Sequence, residues 1–572
     1  MENNLLALGV GNGSAVEAIK AKSDHLRGAL AEELRNDSTH LTGESVQLLK
    51  FHGSYEQEDR DLRAARKSAG VEKAYQFMIR SRIPGGVLTA EQYLVHDDLA
   101  QRYGTGTVRL TTRQGIQLHG VLKGDLRETI RSINEALLST LAACGDVNRN
   151  VMACPAPLAD RAHARIHETA QEIMQRLSPQ TRAYHEIWLD GERVETDAEA
   201  DVEPIYGPTY LPRKFKVAVA LGGDNCVDVF SNDVGLVAAL EGERLAGFTI
   251  VIGGGLGMTH NKPQTYPRAA SPFCFVTPDD VLATVEAIVT VQRDYGDRVN
   301  RRHARLKYLV AERGVAWYRE EVEARLGRRL DDPRPIEFDD VDDHLGWHRQ
   351  SDGRSYLGLF VQSGRIVDDG ETRLRTGLRR AIEAARPGVR ITGQQNLLLV
   401  NIADAQRADV EQILRSHGVQ VDLDQLGVSR FSMACPAMPT CGQAVAEGER
   451  ALPVLLERLE TALAELGLAG ERLGMRMTGC PNGCARPYMG DIGIVGRSAG
   501  LYDVFLGGDW NNTRLNAQFA QSVRYDAIIP ALRPLLEYWK QGRIEGETFG
   551  DFAHRVGFEA LRDWAAAATV VA

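Results

Sequence analysis

VRLTTRQGIQLHGV, residues 108–121, and VRITGQQNLLLVNI, residues 389–402, share Val, Arg, Thr and Gln at 108/389, 109/390, 111/392 and 114/395. A second pair, RNVMACPA at 149–156 and RFSMACPA at 430–437, falls at the same offset of 281 residues. Two separate matches at one offset, one with five identical residues in a row, mark the chain as an internal duplication. Each copy reads as a strand of alternating or β-branched residues, then a helix (DLRETIRSINEALLSTLAA, 125–143; DAQRADVEQILRSHG, 404–418), then MACPA. A larger α/β region follows in each half. Duplicated halves are expected to pack with pseudo-twofold symmetry, so that equivalent elements face a shared interface, a common place for a cofactor.

The whole chain has ordinary globular composition, with 572 residues, 43% of them hydrophobic and 25% charged. No apolar run approaches the ~20 residues that a membrane-spanning helix needs. The first residues, MENNLLALGVGNGSAVEAIKAK, lack the basic start and small-residue cleavage site of a secretory signal, so a cytoplasmic protein is expected. Its eight cysteines are then expected to be thiols or metal ligands rather than disulfides. A formal net charge of −10 argues against nucleic acid or an anionic membrane as the main partner.

The two halves differ in their thiols. The first MACPA carries only Cys154, whereas the second reads MACPAMPTC and is followed by TGCPNGC, which supplies Cys435, Cys441, Cys480 and Cys484. Four thiolates suit either a structural zinc ion or a [4Fe–4S] cluster, and ligand softness does not choose between them. Spacing helps, because zinc knuckles favour pairs two to four residues apart and the first pair here is C-x5-C. Gly479 and Gly483 directly precede the last two thiols, which suggests close backbone approach to a bulky inorganic group. Cys154 reads as a buried packing residue.

The first half offers cations instead: Arg80 and Arg82 in FMIRSRIPGG, Arg109 and Arg113 in RLTTRQ, Arg149 in NRNV, and Lys214 and Lys216 in LPRKFK. On an extended segment Lys214 and Lys216 project from one face, their ammonium groups ~7 Å apart. Fixed cations beside a metal site would bind a small oxyanion and a polycarboxylate cofactor, and the lysines could donate protons. A second basic stretch, RRHARLKY at 301–308, reads as a solvated helix face. Two glycine-rich stretches, GVGNGS (9–14) and IGGGLG (252–257), match a dinucleotide fingerprint poorly. IGGGLG reads rather as a place where backbone approaches the cofactor or cluster.

FMIRSRIPGG, RLTTRQ, NRNV, TYLPRKFK, MACPAMPTC and TGCPNGC together resemble the siroheme sulfite and nitrite reductase family. Within it they are closest to the assimilatory, NADPH-dependent sulfite reductase hemoproteins. The likeness runs from about residue 49 to about residue 550. It implies an α+β fold, internally duplicated, with two ferredoxin-like half-domains and two larger α/β domains around a central siroheme cleft. The implied divisions are an N-terminal extension (1–65), half-domain 1 (66–145), a siroheme and substrate domain (146–345), half-domain 2 (346–425) and a cluster and siroheme domain (426–572).

By the same resemblance Cys435, Cys441, Cys480 and Cys484 are the [4Fe–4S] ligands, and Cys484 is the thiolate shared with the siroheme iron. Arg80, Arg149, Lys214 and Lys216 are the substrate cations, and Arg113 meets siroheme carboxylates. The implied reaction is six-electron reduction of sulfite to sulfide, in sulfate assimilation and cysteine biosynthesis. Electrons would arrive from a separate flavoprotein (alpha) subunit carrying FAD and FMN, for which the segment 14–36 is a possible docking element. A ferredoxin-dependent sulfite reductase, a nitrite reductase, and a zinc-structured binding protein are the alternatives. Lys216 stands against the nitrite reductase, since family members of that kind usually carry asparagine there.

Overall fold

The computed structural model describes residues 13–157, 161–187, 203–242, 244–341 and 343–571. Residues 9–12 of GVGNGS lie outside the described residues. Each copy of the duplicated stretch folds as a hairpin rather than as the single strand its alternation suggests. Val108–Leu110 turns into Ile116–Val121, and Gly388–Ile391 turns into Leu397–Ile402. The cause is a threonine at the same place in both copies. Thr111 Oγ1 accepts from the N–H groups of Arg113 (3.3 Å) and Gly115 (3.0 Å). Thr392 Oγ1 accepts from those of Gln394 (3.2 Å) and Asn396 (3.0 Å). A hydroxyl that captures two nearby donors closes a tight turn and interrupts the strand.

The hairpins belong to two five-stranded sheets of the same design. One runs Ser54–Glu58, Tyr75–Arg80, Ile116–Val121, Val108–Leu110 and Arg365–Ile366, and the other Gly346–Arg349, Ser355–Leu359, Leu397–Ile402, Gly388–Ile391 and Val87–Leu88. The last strand of each comes from the opposite half. Arg365 and Ile366 pair with Arg109 and Val108, and Val87 and Leu88 pair with Arg390 and Val389. Side chains repeat the exchange: Gln114 Nε2 donates to the Ile391 carbonyl (3.0 Å) and Gln395 Nε2 to the Leu110 carbonyl (3.5 Å). The expected pseudo-twofold relation thus reaches individual hydrogen bonds, and each half covers the other's sheet edge.

Both MACPA elements become two-residue strands in larger sheets. Met152–Ala153 pairs in parallel with Val217–Leu221 of a seven-stranded sheet, and Met433–Ala434 pairs in parallel with Met475–Thr478 of a five-stranded one. The second sheet is backed by helix Leu452–Glu465, which buries Leu452, Leu455, Leu456, Leu459 and Leu463 at the spacing of one helical face. One apolar core runs through both hairpin sheets into the seven-stranded sheet, and a second fills the C-terminal region.

Two sequence expectations need correction. Helix Leu126–Glu135 stops well short of residue 143. Leu137 takes a left-handed φ of 60°, Thr140 Oγ1 donates to the His52 carbonyl (2.8 Å), and the Ala142 N–H donates to the Phe51 carbonyl (2.8 Å). These tertiary bonds outcompete continued helix. RRHARLKY is not a solvated face either: Arg301 pairs with buried Asp146 (2.7 Å), Arg305 with buried Asp233 (2.7 Å), and Lys307 is itself buried. Residues 14–36 fold onto their own chain, with the Lys20 ammonium donating to Glu17 (2.5 Å) and the Leu211 carbonyl (2.8 Å), and Arg27 pairing with Glu186. Among the described residues no helix is long and apolar enough to cross a membrane.

Candidate active site

The four cysteines of the second half leave the ends of two neighbouring parallel strands. Cys435 follows Met433–Ala434, and its N–H donates to the Met477 carbonyl (3.1 Å), while Cys480 follows Met475–Thr478 two residues later. Space dictates both glycines of TGCPNGC. A Cβ on Gly479 would lie 2.5 Å from the Ala446 carbonyl oxygen, and the N–H it carries points at Cys435 Sγ (3.4 Å). Gly483 has φ +65°, and a Cβ there would come within 2.9 Å of the Tyr488 ring. The loop is pinned from outside by Thr112, whose hydroxyl donates to the Cys484 carbonyl (2.9 Å), and by Arg60, which donates to the carbonyls of Cys441 (3.1 Å) and Ala444 (2.6 Å).

The donor set fits a four-thiolate cluster better than a single ion. Around one zinc ion the sulfurs would stand roughly 3.8 Å apart. Among the described residues these four do not form a group of ligand atoms within 4.8 Å of one another. They are nonetheless near enough to act on each other's ionisation. Burial and then the charge of Cys484 push the Cys480 thiol up to about 12, and burial with the same neighbour raises Cys435 and Cys441. Held together as thiolates, they require a positively charged inorganic centre among them. Cys435 and Cys480 are buried, whereas Cys484 is exposed, which leaves its sulfur facing open space.

That space is where the first half delivers its cations. Phe215 bridges Asn148 in parallel, the Arg149 N–H donates to the Phe215 carbonyl (2.9 Å), and Phe215 is buried. Lys214 and Lys216 therefore project to the opposite side, as the alternation predicts. The Cys484 sulfur lies near enough to both ammonium groups to favour their charged forms. Burial, followed by Arg213, Arg305 and Arg149, nevertheless brings the Lys214 ammonium down to about 7. Burial, followed by Arg113 and Lys214, likewise holds the Lys216 ammonium well below its ordinary range. Arg149 donates to the carbonyls of Gly145 (2.9 Å) and Ala143 (3.0 Å). Arg80 donates to Cys144 Sγ (2.9 Å) and stands over the Tyr55 ring.

Arg113 reaches this group from a different element. It lies in the hairpin turn, not in a strand, and its guanidinium donates to the carbonyls of Asn150 (3.0 Å) and Val217 (3.2 Å) and to Asn232 Oδ1. Three donors are used, which leaves two of the five for a ligand. Cations packed this closely, depressing one another inside an acidic protein, fit a polyanionic ligand, because only an anion relieves their repulsion.

Several contributors escaped sequence reasoning. Arg213 and Arg305 join the positive field, and Lys307, which burial followed by Arg305 brings down to about 6, donates to the carbonyls of Gly255 (3.1 Å) and Gly257 (2.7 Å). The glycine stretch it props reaches the cysteine loop: the Met258 N–H donates to the Pro481 carbonyl (2.9 Å). The partners of RRHARLKY, Asp146 and Asp233, are remote in the chain, so no local signal pointed to them. Cys154 is buried in apolar packing as expected, with Met152, Ala218 and Val229 among its cluster, and it also stands beside Asp224, Cys226 and His344.

The fold recurs in known proteins. The nitrite and sulphite reductase 4Fe-4S domain matches residues 168–330 and 429–569, and the nitrite/sulfite reductase ferredoxin-like half domain matches 71–136 and 348–417. A sulfite reductase [NADPH] hemoprotein beta-component of Acidithiobacillus ferrooxidans is 49% identical over 543 residues, covering 95% of this chain and 96% of its own. The counterpart in Staphylococcus saprophyticus is 46% identical over 550 residues, covering 96% of both chains. A sulfite reductase [ferredoxin] of Synechococcus elongatus is also 46% identical, covering 96% of this chain and 90% of its own. Among solved structures, the NirA protein of Mycobacterium tuberculosis superposes with a TM-score of 0.79 at 25% identity, over 97% of this chain and 99% of that one. With its duplicated half-domains and its 4Fe-4S domain both matched, the chain belongs to the nitrite and sulphite reductase family.

Proposed function

We propose that this protein reduces sulfite to sulfide, taking up six electrons and releasing three waters, at a siroheme coupled to a [4Fe–4S] cluster. The observation that carries this reading is the exposed Cys484 thiol facing Lys214 and Lys216 across the junction of the two halves. Cys435, Cys441, Cys480 and Cys484 would hold the cluster, and Cys484 would also reach the siroheme. When bound, these groups would supply one-electron transfer and a site for the substrate.

The chain's own residues supply the rest. Arg80, Arg149, Lys214 and Lys216 offset the charge of an anion brought beside an anionic cofactor, in a pocket where such charges act strongly. Lys214, brought down to about 7, can give a proton and regain one near neutral pH, as each S–O cleavage requires. Arg113 keeps two donors for a cofactor carboxylate while its other three hold the turn to Asn150, Val217 and Asn232. The divisions at 65, 145, 345 and 425 serve as working domain boundaries.

For the electron donor we favour NADPH through a flavoprotein subunit carrying FAD and FMN, the arrangement that fits the beta-component relatives. The ferredoxin-named relative at 46% identity keeps ferredoxin as the second reading. Assimilation of sulfate into cysteine, in the cytoplasm where thiols stay reduced, is the setting we assign. The test is the anaerobically purified protein: siroheme bands, about five irons per chain, and sulfite-dependent sulfide release. Comparing reduced ferredoxin with NADPH plus flavoprotein identifies the donor. A colourless protein containing a single zinc in the four-cysteine site overturns the assignment.

A further inference from the structure

We propose that the first half carries a metal site of its own, in which Cys154, Cys226, His344 and Asp224 bind one zinc ion. Cys154 Sγ stands 3.3 Å from Asp224 Oδ2 and 3.8 Å from His344 Nε2, and that nitrogen is 3.3 Å from the same carboxylate oxygen. With the Cys226 sulfur, the four ligand atoms all lie within 4.8 Å of one another. A zinc ion bonded at about 2.3 Å to sulfur and 2.0–2.2 Å to nitrogen and oxygen sets its tetrahedral ligands roughly 3.3–3.8 Å apart. The three separations among Cys154, Asp224 and His344 fall in that range.

Convergence distinguishes this group from a nucleophile with its base. In a thiol–imidazole–carboxylate relay the carboxylate bonds the ring nitrogen that faces away from the sulfur. Here sulfur and carboxylate meet the same Nε2, and one N–H cannot satisfy both. The Cys154 sulfur stands 3.3 Å from that carboxylate oxygen, bridged by the thiol proton when the sulfur is protonated and open to a shared cation once that proton is lost.

The surroundings aim the ligands inward. The Cys226 N–H donates to Asp224 Oδ1 (2.8 Å), which turns Oδ2 toward the centre, and His163 bonds the Cys154 sulfur from the neighbouring helix. Such outer contacts orient metal ligands. Cys154 and Cys226 are buried, while Asp224 and His344 keep partial exposure through which an ion can enter. The site ties together three remote segments: the first MACPA strand, the hairpin at Gly223–Asp224, and the connection into the second half just before Gly346–Arg349.

The experiment is metal analysis and zinc-edge X-ray absorption on the holoenzyme, expressed with added zinc and dialysed against chelator. The siroheme and cluster do not contribute at that edge. One zinc per chain is expected, with two sulfurs at about 2.3 Å and two lighter ligands at about 2.0–2.2 Å. Cys226→Ser and His344→Ala should each lower zinc content at least about tenfold with iron content and siroheme absorbance unchanged. If either variant fails to fold, the absorption spectrum of the unaltered protein decides. Zinc below about a tenth per chain in the unaltered protein, a zinc shell without sulfur, full zinc retention by Cys226→Ser, or a Cys154–Cys226 disulfide in unreduced protein would each overturn the proposal.

Discussion

The two copies of MACPA occupy equivalent places in their halves and end in different chemistry. Both form two-residue strands that pair in parallel with the next strand of a larger sheet, and both present a cysteine at the strand's end. Cys435 meets Cys441, Cys480 and Cys484, near enough to act on its ionisation, whereas Cys154 meets Cys226, Asp224 and His344 within 4.8 Å. The cations diverge similarly. Arg113 and Arg149 border the Cys484 side, while their counterparts Gln394 and Arg430 line a separate cavity with Asp343, Arg476 and Trp510. Duplication supplied one scaffold with two positions for a thiol, and each position's chemistry follows from what other segments bring to it.

The largest expected effect comes from breaking the second site at its exposed end. Cys484→Ser should lower sulfide production by about a thousandfold or more, measured as sulfite-dependent oxidation of reduced methyl viologen; full activity would refute the shared role of this thiolate. Since the residue is exposed, the fold should survive. Removing the first half's contribution comes next. Lys216→Asn should lower kcat by about a hundredfold with both cofactors still bound, whereas loss of siroheme absorbance would mark the lysine as structural.

The reciprocal arginines sharpen the comparison further. Arg109 forms an ion pair with Glu449, beside the second MACPA, and Arg390 donates to the carbonyls of Pro155 (3.2 Å) and Ala156 (3.4 Å) in the first. Arg109→Ala strands a nearly buried carboxylate and should cost about 3–5 kcal/mol. Arg390→Ala removes hydrogen bonds to carbonyls and should cost about 1–3 kcal/mol. Chemical denaturation of both variants checks the order.

A smaller effect concerns protons. Burial and neighbouring cations hold the Lys214 ammonium near 7, below its ordinary 10.5. An anion favours the charged form and raises that value, so binding should take up protons above pH ~7, and affinity should fall as pH rises further. Titration calorimetry of sulfite binding in buffers of different ionisation enthalpy measures the uptake; none at pH 8 would place the anion elsewhere.

Legibility followed sequence distance. Cys435 and Cys441, or Cys480 and Cys484, lie a few residues apart, so their pattern announces a thiol site. Arg149 and the lysine pair were also readable, because each is embedded in an extended stretch whose alternation shows which way it points. Arg305 and Lys307 were misread as a solvated face because the charges they answer, Asp233 and the glycine carbonyls, come from remote strands. The threonine-closed turns were hidden for another reason: one hydroxyl accepting two N–H groups breaks an alternation that otherwise continues unbroken.

The amino-acid sequence by itself determined the duplication, the mixture of strands and helices and the four-thiol motif, since repeats, periodicity and short spacings are local properties of the chain. Tertiary structure alone decided which strands the halves exchange, that Lys214 and Lys216 face the exposed Cys484, and that Cys154 has companions. Those outcomes depend on burial and charge pairing between segments up to several hundred residues apart, and such energies exist only once the chain has closed on itself.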